Sequence, residues 1–362
     1  MKRLLALSGG GVRGIVEVAF LEAVERVYRA RRGPEARLSD IFDLVGGTST
    51  GALIAAGIAL GRPVSEIAGF YLGRAPALFG AGQRWRFGFA PVFDSDRLEA
   101  EIRREVGELT LGDPALRTYL AIVMKRLDTG SPWIVSNIPH APYFEDPADG
   151  GFIGNRNYPL ARLLRASSAA PTYFRQQTLD IVPGEPPGVF VDGGASPYND
   201  PSLALLMLAR MRAFGLCWPA GEDRLFVLSL GTGRFRQRVP PESAARAGPL
   251  RLALDTLTAL VGDAELQTLT LMEWLGRSCA PEVINGEIGR LGDDNAFGAP
   301  QFAYLRLDLP LERDPLASLG IDLADGDLAR FRRIDDPGII LPLYELAREV
   351  CARRYDLDQL LP

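Results

Sequence analysis

Ile41-Phe42-Asp43-Leu44-Val45-Gly46-Gly47-Thr48-Ser49-Thr50-Gly51-Ala52 is the stretch on which the reading of this chain turns. An apolar run, Ile41–Val45, gives way to small residues and then to Ala52–Leu60, a helical segment rich in alanine. Read as strand, tight turn and helix, it puts Gly47-Thr48-Ser49-Thr50-Gly51, a GxSxG sequence, in the setting of a nucleophile elbow. Such a turn holds its serine in a strained conformation, and the flanking glycines keep side chains from colliding. In a chain with 39 glycines among 362 residues, chance supplies this pentapeptide only ~0.2 times, before the strand–turn–helix context is asked for. The plain alternative is a serine capping a helix in a Gly-rich turn.

From this unit outward the alternation continues. Arg3–Leu7 is a short apolar run ending in glycines, and Val12–Arg29 carries Ile15, Val18, Ala19, Val24, Val27 and Tyr28 at helical spacing. Arg97–Val106 reads as an exposed amphipathic helix, Thr118–Val123 and Trp133–Val135 as strands, and Leu160–Ala166 as a helix. Gly188–Val191 reads as a buried strand, Pro201–Phe214 as a helix, and Leu225–Leu230 as a strand ending in Gly231-Thr232-Gly233. Strands alternating with helices predict an α/β fold with a mainly parallel central sheet covered on both faces. Beyond about Pro249 the pattern turns mostly helical (Leu250–Leu275 and Leu341–Arg353), with one strand-like segment, Phe302–Leu307. The expectation is an α/β core over residues 1–240 and a mostly helical extension over 241–362 packed on the same core.

Composition narrows the function. Forty basic against forty-five acidic side chains give a formal charge of −5, which argues against a nucleic-acid binder. Three cysteines (Cys217, Cys279 and Cys351) stand far apart and outside any CxxC pattern, so neither a disulfide framework nor a zinc site is indicated. A chain this long can bury a large core without a staple. The single histidine, His140, excludes any mechanism needing two, and a Ser-His-Asp triad would have to use it. It lies in a loop between Pro139 and Pro142, where a lone histidine is ordinarily surface decoration. The N-terminus lacks the pattern of a signal peptide, and the longest apolar run, Ala52–Leu60, is about half of a membrane span. A soluble, cytoplasmic protein without metal or cofactor is expected.

Two further Gly-rich turns follow expected strands. In Ser8-Gly9-Gly10-Gly11-Val12-Arg13-Gly14, Gly9, Gly11 and Gly14 satisfy GxGxxG. The acidic residue that a dinucleotide fingerprint wants at the end of the next strand is missing. The other use of such a loop is an oxyanion hole, its N–H groups aimed at a developing negative charge with Arg13 adding a fixed positive one. From this loop alone, nucleotide binding, an oxyanion hole and a plain tight turn all stay open. The other turn, Val189-Phe190-Val191-Asp192-Gly193-Gly194, closes an apolar strand. Asp-Gly is a favoured turn pair, but a carboxylate whose pKa is raised by burial can also act as the base for a serine.

These three turns, in this order and approximate spacing, resemble those of the patatin-like phospholipases. Ala166-Ser167-Ser168-Ala169-Ala170-Pro171-Thr172-Tyr173-Phe174, Asn199-Asp200-Pro201 and Leu228-Ser229-Leu230-Gly231-Thr232-Gly233 continue the resemblance, which covers roughly residues 3 to 235. It implies a patatin-like three-layer α/β/α fold and a serine lipid acyl hydrolase of phospholipase A, lysophospholipase or carboxylesterase type, without catalytic histidine or calcium. Residue by residue it implies Ser49 as nucleophile, Asp192 as base, and an oxyanion hole from the Gly10 and Gly11 N–H groups supported by Arg13. The substrate it implies is a phospholipid or other lipid ester, met in transient contact with a membrane surface. Two departures stand out. Ser8 replaces an aspartate found in many members, and Asp200 replaces a second asparagine before the proline; neither touches the dyad, and both bear on turn geometry. The alternative function is a nucleotide-binding or effector-regulated, lipid-binding signalling protein that uses the Gly-rich loop. Phe79 to Phe93, with Trp85, Phe87 and Phe89 beside Arg84 and Arg86, suits either an interfacial lid or a loop packed on its own core. Leu250–Leu275 suits core packing, with a lid, a homodimer face or a regulatory contact as alternatives.

Overall fold

The computed structural model describes residues 1–76, 93–236, 239, 241–292 and 294–362. The aromatic segment 79–93 therefore lies outside the described residues, except for Phe93. The strands are β1 (Lys2–Leu7), β2 (Leu44–Thr48), β3 (Tyr119–Arg126), β4 (Pro132–Ser136), β5 (Gln177–Leu179), β6 (Gly188–Asp192), β7 (Leu225–Leu230), β8 (Arg277–Ser278) and β9 (Ala303–Leu307). They form one sheet in the order β5-β6-β3-β2-β1-β7-β9-β8, with β4 paired to β3. Pairing is parallel from β8 through to β3, and antiparallel where β4, β6 and β5 join. The main helices are α1 (Ile15–Arg32), α2 (Thr50–Ala59), α3 (Ser95–Val106), α4 (Leu160–Ser167), α5 (Ser202–Arg210), α6 (Pro249–Leu275) and α7 (Ile340–Arg354).

The period-2 alternation of a strand divides its side chains between two faces, and β1 shows the consequence. Leu5 and Leu7 join a buried cluster with Val16 and Phe20 of α1, Ile54 and Ala55 of α2, and Leu343 and Ala347 of α7. Leu4 and Ala6 point the other way, into a cluster with Leu205 and Leu208 of α5 and Leu269 and Met272 of α6. The result is three layers, α/β/α. Each leucine buried in this way contributes about 1.5–3 kcal/mol, and truncating one to alanine costs about 2–5 kcal/mol. The C-terminal region is less separate than its helical pattern suggests, because β9 pairs in register with β7 from Phe226↔Ala303 to Leu230↔Leu307. Among the described residues, no helix is long and apolar enough to cross a membrane.

The second strand departs from its expected limits. Leu38–Asp40 forms a 3-10 turn, and β2 begins only at Leu44 but continues through Gly46 and Gly47, which pair with Ala121 and Ile122. Their glycines serve close packing within the strand. A Cβ on Gly46 would lie 2.6 Å from Leu205 Cδ2 of α5, and one on Gly47 would overlap the Gly51 backbone of α2.

The antiparallel strands create the site. Ala121–Val123 pair with β2 on one edge of β3 and with β4 on the other. Met124 and Lys125 still pair with β4, so β6, which also pairs with them, must occupy the edge that β2 has just left. β2 ends at Thr48 opposite Val123, and β6 arrives from the opposite direction to end at Asp192 opposite Met124. The carboxyl ends of two strands thus meet head to head.

Candidate active site

Ser49 occupies the bend between β2 and α2 with φ 55° and ψ −122°. A non-glycine residue in such a conformation stores about 1–3 kcal/mol of strain, which the surrounding structure must hold in place. Three contacts do so. The Ser49 N–H donates to Ser167 Oγ at 2.9 Å, and Ser167 Oγ in turn donates to the Val123 carbonyl at 2.6 Å. Thr48 Oγ1 donates to the Tyr198 carbonyl at 2.6 Å. Gly51 lets the first turn of α2 press on β1, since a Cβ there would overlap the Leu7 carbonyl.

Ser49 Oγ donates to Asp192 Oδ2 at 2.6 Å. The other carboxylate oxygen accepts from the Gly194 N–H at 2.7 Å, and the Asp192 N–H donates to the Ala169 carbonyl at 3.0 Å. Asp192 is 5% exposed. Burial pushes its pKa up from 3.8 to about 6, while the Ser49 hydroxyl, the Gly194 N–H and the charge of Arg165 pull it down. The carboxylate is therefore mostly ionised at pH 7, yet basic enough to accept a proton.

The first Gly-rich loop lies against this pair: a Cβ on Gly9 would be 3.3 Å from Ser49 Cβ. Most of the loop's N–H groups are engaged. Ser8 donates to Glu17 Oε1, Gly9 to the Asn199 carbonyl, Val12 to the Ile334 carbonyl and Arg13 to the Gly10 carbonyl. Among the described residues, the Gly10 and Gly11 N–H groups have no acceptor. Gly10 has no room for a side chain beside Thr232, and Gly11 takes φ 59° beside the Ile334 carbonyl. The positive charge expected of Arg13 is held in place by two contacts. Its Nη1 donates to the Gly233 carbonyl at 3.2 Å and its guanidinium lies over the Phe235 ring, so it ties this loop to the turn after β7. His140 is exposed in the turn after β4, backed by Gly215.

Sequence reading assigned no role to several residues that build the site. Ser167 and Asn199 lie in motifs quoted above, but which atoms they hold was not legible. Asn199 brackets Gly9, accepting its N–H at 3.0 Å and donating Nδ2 to its carbonyl at 3.2 Å; its Nδ2 also reaches Glu265 of α6. Arg306 on β9 pairs with Asp200 at 2.8 Å and reaches Ser8 Oγ at 3.2 Å. The two departures noted in the sequence therefore meet at one guanidinium. Its signal was visible: a lone charge inside an apolar strand, Ala303–Leu307, needs a buried partner. Among the described residues, no group of three or more His, Cys, Asp and Glu is placed to hold a metal ion.

Sheet, elbow and facing carboxylate define an α/β protein built around a strand–serine–helix turn. The comparisons narrow that class. The family model for patatin-like phospholipase matches residues 5–206, and the chain belongs to that family. It is 31% identical over 283 residues to patatin group J-1 of Solanum tuberosum, spanning 71% of this chain and 68% of that protein. It is 28% identical over 352 residues to a cGAMP-activated phospholipase of Vibrio cholerae, spanning 92% of this chain and 93% of that one. The solved structure of VipD from Legionella pneumophila aligns over 95% of this chain and 66% of its own, at 12% identity and a TM-score of 0.33.

Proposed function

We propose that this protein is a lipid acyl hydrolase in which Ser49 is the nucleophile, Asp192 its base, and the Gly10 and Gly11 N–H groups the oxyanion hole. The observation that carries the reading is the 2.6 Å hydrogen bond from a strained serine to a buried carboxylate, beside two N–H groups that have no acceptor among the described residues. In the first step Asp192 takes the Ser49 proton as Oγ attacks an ester carbonyl, and the oxyanion forms against Gly10 and Gly11. The tetrahedral species collapses to acyl-serine, and the departing alcohol leaves with the proton held by Asp192. Water, giving its proton to Asp192, then attacks the acyl-serine; the proton returns to Ser49 Oγ as the fatty acid departs. The substrate is a phospholipid or other lipid ester reached at a membrane surface. The test is release of p-nitrophenol from short- and medium-chain esters, with phospholipid vesicles in parallel. Activity that survives chelator and disappears in Ser49→Ala supports the reading. Failure of the folded wild type to react with a fluorophosphonate refutes the nucleophile.

A second reading adds control by an effector. It is favoured by the likeness, along nearly the whole chain, to a protein named as a cGAMP-activated phospholipase. Hydrolysis measured with and without cGAMP decides it; equal rates dispose of the effector and leave the hydrolase reading intact.

A further inference from the structure

The Gly10 N–H belongs to the same planar, trans peptide unit as the Gly9 carbonyl, so fixing one atom aims the other in the opposite direction. The Gly9 carbonyl is fixed twice, by Asn199 Nδ2 at 3.2 Å and by Thr232 Oγ1 at 3.0 Å. Ser8 precedes this peptide, Asp200 follows Asn199, and the strand end Ser229–Leu230 leads to Thr232. All of these converge on Arg306.

Arg306 Nη1 donates to Asp200 Oδ2 at 2.8 Å, Ser229 Oγ at 2.6 Å and Ser8 Oγ at 3.2 Å. Nη2 donates to Asp308 Oδ2 at 2.8 Å, and the other Asp308 oxygen accepts from the Gly233 N–H at 3.0 Å. Ser8 is 1% exposed, Asp200 2%, Asp308 6% and Ser229 0%, so water does not compete for these bonds. A planar guanidinium is the side chain suited to such a junction, since its five donors leave in fixed directions. Arg306 also lies well beyond residues 5–206, the part matched by the family.

We propose that Arg306 is the positioning residue of the oxyanion loop, a buried guanidinium that sets the aim of the Gly10 N–H through Asp200 and Ser8. The proposal rests on the reading of Gly10 as an oxyanion donor. Because Ser8 Oγ and Asp200 Oδ2 sit on the same Nη1, the negative charge facing Nη1 can stand at either position, with Asp308 holding Nη2 in both cases. Glu17, which accepts the Ser8 N–H at 2.6 Å, has its pKa pushed well up by burial.

The test compares wild type, Asp200→Asn and the double variant Ser8→Asp/Asp200→Asn by steady-state ester hydrolysis and by amide hydrogen exchange of the peptide spanning residues 8–14. Asp200→Asn is expected to lower kcat roughly tenfold with KM nearly unchanged, and to speed exchange in that peptide. Moving the charge to position 8 is expected to restore both, whereas a merely structural aspartate gives no rescue from a different position. Unchanged kcat and exchange in Asp200→Asn, or a double variant no better than the single, overturns the proposal. The two readings separate cleanly. A wild type that cleaves no ester, with exchange following the expected pattern, sinks the hydrolase and keeps the positioning. Normal hydrolysis with indifferent exchange does the reverse.

Discussion

Asp192 and Asp200 leave one turn a short way apart, and both are buried, at 5% and 2% exposure. They face opposite partners. Asp192 meets a hydroxyl and an N–H, both neutral, and burial drives its pKa to about 6. Asp200 meets the guanidinium of Arg306 at 2.8 Å, with the Ser202 N–H on its other oxygen at 2.9 Å. A buried carboxylate with neutral partners is free to take a proton, whereas one locked to a cation acts as a strut. Residue type and burial alone do not separate the two proposed roles; the charge of the neighbour does.

The comparison breaks most easily at Asp192. Asp192→Asn and Ser49→Ala are each expected to lower ester hydrolysis by roughly 10⁴-fold or more, measured on protein whose circular dichroism matches wild type. Retained activity in Asp192→Asn would leave the two aspartates without a functional difference. Gly11→Ala comes next. Its Cβ would overlap the Ile334 carbonyl and its φ of 59° disfavours any side chain, so the loop must shift, with a loss of roughly 10²–10³ in kcat.

Stability sharpens the contrast, because the two neutralised aspartates should move in opposite directions. The folded pKa of Asp192, about 6, lies above its ordinary 3.8. Between those values the fold holds a proton that the unfolded chain has released, so this group's contribution to stability falls as pH climbs from about 4 to 6. Asp192→Asn removes that penalty and is expected to stabilise the protein at pH 8 by up to about 3 kcal/mol, with the gain vanishing near pH 4. Asp200→Asn leaves Arg306 short of a buried counter-charge and is expected to cost about 1–3 kcal/mol. Urea midpoints at both pH values check the signs.

The same pKa predicts that kcat/KM rises with pH to a plateau, half-maximal near pH 6. The smallest expected effect separates strain from chemistry at the elbow. Ser49→Gly should be more stable than Ser49→Ala by about 1 kcal/mol, since glycine alone relaxes at φ 55°, while both remain inactive.

The sequence by itself determined the strand–turn–helix units and the turns that carry the chemistry, because apolar periodicity and glycine punctuation are local properties of the chain. It also singled out Ser49 and Asp192 as candidates for the reaction proposed here, although each turn alone also admitted a plain use, as a helix cap or an Asp-Gly turn. Tertiary structure decided what those turns do to one another. The head-to-head arrival of β2 and β6 on one edge of β3 is a matter of strand pairing, which no single segment encodes. Gly46 and Gly47 read as a strand end but are strand interior, because the constraint on them comes from Leu205 and Gly51 on packed helices. The Arg13 guanidinium binds Gly233 because the turn after β7 folds beside it. Arg306 joins Ser8 and Asp200 because parallel pairing carries the ends of β1, β7 and β9 to the same place. Buried charges are satisfied by whatever the fold brings within hydrogen-bond reach, and that reach is set by topology, across hundreds of residues of chain.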